Sequence, residues 1–248
     1  MGVIYIMWLR QLKRYWRSKA RMIGTLGQPV LFLIALGFGF GAIYQKAGGG
    51  NYLEFLAPGI VAMSILFTSM FNGIEVIWDR QFGFLKETLV APVSRVKIMI
   101  GRTLGGATVA FFQGLLVLLI SIIIGFRINN FMNLPLVLIF MFLIALLFTA
   151  LGTAIASRMQ DMNAFPLIIN FLIMPLFFLS GALFPLNDLP GVLAIIVKIN
   201  PLSYGVDGIR GALTNLSSFG LFFDFAVLVI LTLIVGLIGS YLFSKIEV

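Results

Sequence analysis

The amino-acid sequence predicts an all-α, polytopic membrane protein with six transmembrane helices, an N-terminal amphipathic interface helix and outer re-entrant helices. Six stretches contain no Asp, Glu, Lys or Arg and hold 20 to 30 residues each, whereas about 20 residues span the hydrocarbon as a helix. Continuous apolar runs of this length are helical, because a lone strand leaves its backbone unpaired in lipid. The stretches are Met22–Gln45, Phe55–Ile74, Thr103–Phe126, Ile128–Ser157, Met162–Asn187 and Phe225–Ser244.

The composition supports one membrane domain and excludes several kinds of chemistry. The 248 residues are 60% apolar and 10% charged, against about 25% charged in soluble domains, so we assign 1–248 to a single transmembrane domain. Cysteine and histidine are both absent, which excludes disulfides and removes the commonest general base and metal ligand. The acidic residues show no metal-ligand spacing, so we expect neither a catalytic group nor a metal.

Residues 1–21 predict an amphipathic helix at the membrane surface. Trp8, Leu12 and Tyr15 recur at helical spacing, while basic residues that include Arg14 fall largely on the opposite side. Aromatic side chains favour the headgroup boundary, and cations attract anionic lipid. We therefore expect an interface helix that contacts membrane lipid through these side chains. An ordinary basic flank of the first span is the alternative.

The basic residues predict how the chain is oriented. Thirteen of the 17 Lys and Arg residues lie before the first span or after the second, fourth and sixth spans. The positive-inside rule then places both termini in the cytoplasm of a multi-pass protein in the cell membrane. This distribution also argues against nucleic acid as a partner, although the chain is basic overall.

Residues 75–102 contain the only sizeable cytoplasmic loop of this topology. Mixed charges there are interleaved with Trp78, Phe82 and Phe84, and Gly83 divides the segment into short pieces. Aromatic side chains among charges are typical of a protein-docking surface. A polar connector held against lipid headgroups is the alternative.

Polar and helix-bending residues inside the spans are candidates for a path or a gate. Gln113 and Asn170 could line a path, and interhelical hydrogen bonding is the alternative. Pro166 and Pro175 in the fifth span could form a gating bend or a static kink. Two G-x-x-x-G patterns, one of them at 101–105, are no more than chance gives with 26 glycines, so they predict no dimer contact.

The outer connection, residues 185–224, is not simply hydrophilic. Leu189–Ile199 and Val206–Leu213 are apolar but too short to span. Segments of this length favour interfacial or re-entrant positions. We expect this connection to cap the outer mouth of the bundle, where irregular backbone lies against protein.

Three parts of the chain carry a family resemblance. The outer part is Ile173, Leu176, Leu179, Ser180, Ala182, Leu189, Pro190, Pro201, Leu202, Tyr204 and Arg210. The cytoplasmic part is Arg80, Gly83, Leu85, Lys86, Glu87, Ala91, Pro92, Val93 and Ser94, and the second span opens with Phe55-Leu56-Ala57-Pro58-Gly59. Together these parts resemble the signature of the type-2 ATP-binding-cassette exporter permeases, in their drug and lipo-oligosaccharide branch. The resemblance covers the chain from end to end and includes the six-span count.

The resemblance implies an assembly. Two permease subunits, here a homodimer, would pair around a path, and two ATPase subunits would dock beneath them. The interface helix would include Trp8, Leu12 and Arg14, and the outer pieces would be re-entrant helices carrying Pro190, Pro201, Tyr204 and Arg210. Coupling to the ATPase would fall to Asp79, Arg80, Gly83, Leu85, Lys86, Glu87 and Pro92.

The ATPase itself is expected in another chain. No G-x-x-x-x-G-K-[ST] phosphate loop occurs in this sequence, so the backbone cradle and lysine that hold ATP phosphates are missing. We therefore expect a permease subunit that is not an enzyme and carries no cofactor. ATP and magnesium are expected on the partner.

The predicted function is transport of an amphiphile, such as a drug, a lipid or a lipid-linked saccharide, with drug efflux favoured. A secondary transporter or a channel without an ATPase partner is the alternative. Secondary transporters normally keep ionisable groups within their spans, and here only Glu75 and Asp79 approach a span. A passive channel would leave the aromatic, charged cytoplasmic loop unexplained.

Overall fold

The structure is a computed structural model that describes residues 2–46, 50–85, 93–186 and 190–246, and the regular elements in those ranges are helices. In chain order they are α1 (Gly2–Arg17), α2 (Lys19–Gly39), α3 (Gly41–Lys46), α4 (Tyr52–Phe71), α5 (Ile74–Gln81), α6 (Arg95–Ile124), a single 3-10 turn (Phe131–Asn133), α7 (Leu134–Arg158), α8 (Ala164–Phe178), α9 (Gly191–Ile199), α10 (Pro201–Thr214) and α11 (Leu221–Ser244).

Five helical stretches within the described ranges are long and apolar enough to cross a membrane, which confirms the prediction of an all-α, polytopic membrane protein. They are α2, α4 with α5, α6, the 3-10 turn with α7, and α11. A sixth crossing is possible only if a bent helix pair is counted as one span: α9 and α10 meet at 85°. A sharp bend of this kind is the geometry expected of a re-entrant or broken segment.

The fifth predicted span differs from the sequence expectation in its helical length. The charge-free stretch 162–187 forms a helix only over α8, which has 15 residues and is about 22 Å long at 1.5 Å per residue. That length is short of the roughly 30 Å of hydrocarbon. Residues 179–186 continue in turns, and Ser180 and Ala182 there are buried.

Helix α4 lies at the centre of the bundle. It packs against α2, α6, α7 and α10, and most of its residues are buried. Close approach is possible because small residues face it: a methyl group added at Gly152 of α7 would lie 2.6 Å from the carbonyl oxygen of Met70. By contrast, α2 and α11 lie at the edge and expose apolar side chains such as Leu31 and Leu237, as lipid-facing helices do.

Both described ends of the chain lie at the same end of the bundle, which we call the terminal end. There Arg95, at the start of α6, donates to the carbonyl oxygens of Ser244 (2.7 Å) and Ile246 (2.9 Å) after α11. Helix α1 packs beside the first half of α6, and α5 lies next to it. The α9–α10 pair lies at the opposite end.

Candidate functional site

Helix α1 is held against α6 by two glycines. A methyl group added at Gly105 would lie 2.6 Å from Cβ of Gln11, and one at Gly101 would lie 2.8 Å from Cβ of Met7. Only glycine lets the two helices approach so closely. The G-x-x-x-G pattern at 101–105 predicted no dimer contact. In the structure its two glycines form the surface of α6 on which α1 packs.

Polar contacts continue this packing along α6. The Trp8 indole N–H donates to the Thr108 hydroxyl at 3.0 Å, and the Tyr15 hydroxyl donates to the side-chain oxygen of Gln113. Burial raises the pKa of the Tyr15 phenol, which keeps it neutral and able to donate. Gln113 is fully buried and accepts this interhelical hydrogen bond. Leu12 is half-buried on the same helix.

Asp79 of α5 joins three helices at the terminal end. Its carboxylate accepts two hydrogen bonds from Arg10 of α1, at 2.7 and 3.0 Å. Arg102 of α6 donates to the same carboxylate. Asp79 is 4% exposed and Arg102 is 3% exposed. Charge-assisted bonds in such surroundings hold their partners in a fixed geometry.

Glu75, one turn before Asp79, joins the start of α2 to the same cluster. Arg21 donates to Glu75 at 2.8 Å and to the side-chain oxygen of Asn72 at 2.8 Å. The Asn72 amide in turn donates to the carbonyl oxygen of Gly106 in α6, at 3.0 Å. Arg14 lies 3.7 Å from both carboxylates, so this residue, predicted to face lipid, is directed into the cluster. We call these six charged residues the charged cluster: Arg10, Arg14, Arg21, Glu75, Asp79 and Arg102.

The charged cluster contains four guanidinium groups and two carboxylates. Aromatic faces stabilise part of the excess positive charge: Arg10 lies 3.7 Å from the ring centroid of Phe84, and Arg14 lies 5.3 Å from that of Trp78. A charge that loses its partner in a buried place is strongly destabilising. The two carboxylates of α5 therefore join α1, α2 and α6 at this end.

Arg80 lies next to Asp79 but makes different contacts. Its guanidinium donates to the carbonyl oxygens of Ser157 (2.9 Å) and Met159 (3.1 Å) at the end of α7. Gln81 adds a bond to the carbonyl oxygen of Gln160 at 3.0 Å. Cations are favourable at helix C-termini, where carbonyl oxygens lack helical partners. Arg80 thus connects α5 to α7.

Among the described residues that directly follow α5, 82–85, one large side chain is exposed. Phe82 is 78% exposed, whereas Leu85 is fully buried. Gly83 has φ of +80°, which favours glycine at this turn. The other predicted coupling residues, Lys86, Glu87 and Pro92, lie outside the described residues.

The candidate gate residues of the fifth span lie on α8. Asn170 and Pro175 are exposed there. Pro166 lies in the first turn, where a missing N–H breaks no helical hydrogen bond, so it does not act as a bend in this structure. Pro175 lies inside the helix, where its missing N–H does remove a helical hydrogen bond.

At the opposite end, the backbone that follows α8 is bound by side chains of other helices. Arg210 of α10 is 3% exposed and donates to the carbonyl oxygens of Gly181 (2.8 Å) and Phe55 (3.3 Å). Its guanidinium also lies 3.9 Å from the centroid of the Phe55 ring. The Tyr52 hydroxyl donates to the carbonyl oxygen of Leu183 at 3.0 Å. Irregular backbone at membrane depth requires such partners.

The α9–α10 pair is shaped by the remaining signature residues and by Asn200, which lies between the two helices. The Asn200 amide donates to the carbonyl oxygen of Leu176 in α8 at 2.7 Å, and the Tyr204 hydroxyl donates to that of Lys198 at 2.5 Å. Pro190 immediately precedes α9, and Pro201 is the first residue of α10, where proline has no helical N–H to lose. These residues therefore close the turn around the end of α8, at the end of the bundle opposite the terminal end.

Replacing Arg210 with leucine should lower the apparent melting temperature of the detergent-solubilised protein markedly. The carbonyl oxygens that it binds would be left without that donor, at about 1–3 kcal/mol each. Arg127→Leu is the matched control because Arg127 is exposed. Equal melting temperatures of the two variants would contradict the role assigned to Arg210.

Sequence reasoning missed four residues of the terminal end: Arg10, Arg21, Arg102 and Asn72. The available signal was position, because Arg21 and Arg102 directly precede charge-free stretches. Snorkelling to headgroups is the ordinary behaviour of such residues, so position alone did not identify them. Their partners lie 23 to 69 residues away along the chain.

Comparison with known proteins identifies the family of this chain. Residues 2–214 match the family described as ABC-2 type transporter. The chain is 32% identical to the putative transport permease ycf38 of Cyanophora paradoxa, over 95% of this chain and 84% of that protein. It is 29% identical to nodulation protein J of Rhizobium leguminosarum bv. trifolii, over 83% and 76%.

A further relative is the inner membrane transport permease YadH of Escherichia coli strain K12. The identity is 28%, over 90% of this chain and 87% of that protein. The family match covers most of the chain, and the helices are those of a multi-span membrane protein. The chain therefore belongs to the ABC-2 type transporter family, as a membrane subunit of an ATP-binding-cassette transporter.

Proposed function

We propose that this chain is the permease of an exporter driven by a separate ATPase subunit, which docks at the terminal end. The observation that carries the proposal is Asp79, which ties α1, α5 and α6 together just before the segment that begins at Phe82. The terminal end holds most of the basic residues, so the positive-inside rule orients it toward the cytoplasm, with both termini.

The contacts supply a physical route for coupling. A partner that moves the Phe82 segment would displace α5, because Phe82 directly follows Gln81, the last residue of that helix. Asp79 would transmit that displacement to α1 through Arg10 and to α6 through Arg102. Arg80 would transmit it to α7. Binding and hydrolysis of ATP with magnesium are assigned to the partner, and this chain contributes the mechanical response.

Capture of the ATPase subunit tests the proposal. Phe82→Asp should weaken co-purification of an ATPase encoded with this permease by about 10–30-fold, as expected for loss of an aromatic hot spot. Phe131→Asp is the matched control, since Phe131 is 71% exposed but lies between α6 and α7 at the opposite end.

Two results would contradict the docking role. One is equal capture of ATPase by the two variants, and the other is capture of no ATPase by the unaltered chain. The second result would revive a secondary transporter or a channel. The charged cluster argues against those alternatives, because its carboxylates are paired with arginines rather than free to bind a coupling ion.

The proposed second copy would pack on the face shared by α2 and α8. Phe32 and Phe177 bring these helices together, with ring centroids 6.2 Å apart. Asn170 is exposed on α8, and an amide that faces lipid is unfavourable. A second copy would cover this amide or enclose it in a polar path, which supports the homodimer.

The proposed substrate is an amphiphile: a drug, a lipid or a lipid-linked saccharide. Apolar side chains with a few uncharged polar groups, such as Gln28 and Asn170, suit a molecule of that kind. The helix α1 would remain in contact with membrane lipid through its exposed aromatic side chains, Tyr5 and Trp16. Side-by-side export assays with a lipophilic dye and a lipid-linked saccharide would separate drug efflux from saccharide export.

A further inference from the structure

A cavity of about 230 Å³ opens between the start of α2 and the middle of α4. Its apolar lining includes Met63 and Phe67, and the polar residues in its lining are Tyr15, Arg21, Thr25, Gln28, Ser64 and Thr68. Arg21 also belongs to the charged cluster, so the cavity begins at the terminal end and extends to membrane depth. This position is within reach of a lipid headgroup.

The polar side of the cavity contains a group without a partner. Ser64 is 2% exposed, and its hydroxyl oxygen makes no hydrogen bond to the residues that the structure describes. A buried hydroxyl of this kind costs free energy unless a ligand or water binds it. Gln28, on α2, lines the same cavity and is exposed. Both groups are therefore available to a polar headgroup.

The charge at this place favours an anion. Arg21 shares Glu75 with Arg14, and the charged cluster holds four guanidinium groups against two carboxylates. The net charge of these six side chains is therefore positive in a partly buried setting, where Coulomb interactions are weakly screened. Basic pockets between helices at the cytoplasmic side bind lipid phosphates for this reason.

The opposite wall is apolar and continues outward. Phe67 and Met63 line it, and beyond it α2 exposes Leu31, Ile34 and Phe38. An acyl or isoprenyl chain would bury apolar surface along this face. The cavity volume is too small for a whole lipid, so the chain would lie along α2 outside the cavity.

We propose that this cavity binds a phosphate-bearing amphiphile, with its phosphate near Arg21 and Ser64 and its apolar chain along α2. The proposal rests on the proposed function only for placing the site in the cytoplasmic leaflet. A membrane phospholipid and a transported lipid-linked phosphate share this chemistry, and the experiment distinguishes them.

Binding is measured on the full-length chain in detergent by native mass spectrometry, with dioctanoyl phosphatidylglycerol and dioctanoyl phosphatidylcholine as probes. We expect about tenfold preferential retention of the anionic lipid, the ratio that 1.4 kcal/mol provides. Gly24→Ile should abolish that preference, because Gly24 lines the cavity. Gly27→Ile is the matched control: it lies one turn further along α2, outside the lining, and a methyl group at either glycine meets no atom within 4 Å.

A second arm identifies the natural ligand. Lipids are extracted from unaltered protein and from Gly24→Ile purified from the same membranes. A phospholipid depleted only in Gly24→Ile would assign a lipid-binding site, and a depleted polyprenyl phosphate would assign a substrate site; either supports the proposal. Equal retention of the two probes, equal behaviour of the two isoleucine variants, or no depleted phosphate lipid would overturn it. No ATPase is present in this assay, so failure of ATPase docking leaves its result unaffected.

Discussion

Asp79→Ala should lower the free energy of unfolding by about 3–5 kcal/mol, the cost typical of a buried charge that loses its partner. Arg102 would then be buried without the carboxylate that it contacts, and Arg10 would lose both of its hydrogen bonds at this site. Because Arg10 is partly exposed and water can solvate it, most of the cost should come from Arg102.

Equilibrium unfolding in mixed micelles would measure the change. Asp161→Ala is the control, since Asp161 is an exposed acid near the same end. The double variant Asp79→Ala with Arg102→Met should recover part of the loss, because it removes the unpaired charge as well. If Asp79→Ala were no more destabilising than the control, the charged cluster would not hold the terminal end together.

Gly105→Leu should detach α1 from α6 and abolish coupled transport. The new side chain would overlap Gln11, which already lies within 2.6 Å of the position of an added Cβ. Overpacking typically costs about 1–3 kcal/mol, and moving α1 away relieves it at the expense of the bonds from Trp8 and Tyr15. The steric overlap and the loss of these two hydrogen bonds should both release α1 from α6.

Cysteine cross-linking would detect the detachment. The chain has no cysteine, so Trp8→Cys with Thr108→Cys reports contact between α1 and α6 without background. Cross-linking should be efficient in the parent protein and nearly absent with Gly105→Leu. Gly236→Leu on α11 is the control, because a methyl group there meets no atom within 4 Å. Undiminished cross-linking in the Gly105 variant would show that close packing of α1 on α6 does not depend on this glycine.

The helical spans were predictable because lipid imposes one requirement on every residue of a span. Charge-free runs such as 103–126 and 128–157 must be helical to satisfy their backbone, and α6 and α7 cover most of both. The run at 162–187 shows where this logic fails. Composition does not reveal that helix α8 ends at Phe178, since Arg210 and Tyr52 satisfy carbonyl oxygens beyond it.

The candidate site was predictable only in part. Asp79 and Arg80 were identified by resemblance, yet their partners were not, because each makes contacts with a different distant helix. Phe82 was expected at a docking surface, and the structure leaves it exposed as such a role requires. Trp8 and Arg14 were expected to face lipid, but α6 and α5 supply better partners for both.

The sequence by itself determined the class of protein, five of its six predicted spans and the amphipathic first helix, because these depend on local hydrophobicity and helical period. Only the tertiary structure decided that α1 packs on Gly101 and Gly105 of α6. It also decided that four arginines surround two carboxylates and that Arg210 binds the backbone after α8. Each of these is a contact between residues far apart in the chain. Local patterns do not encode such pairs, because the partner is chosen by how the helices pack.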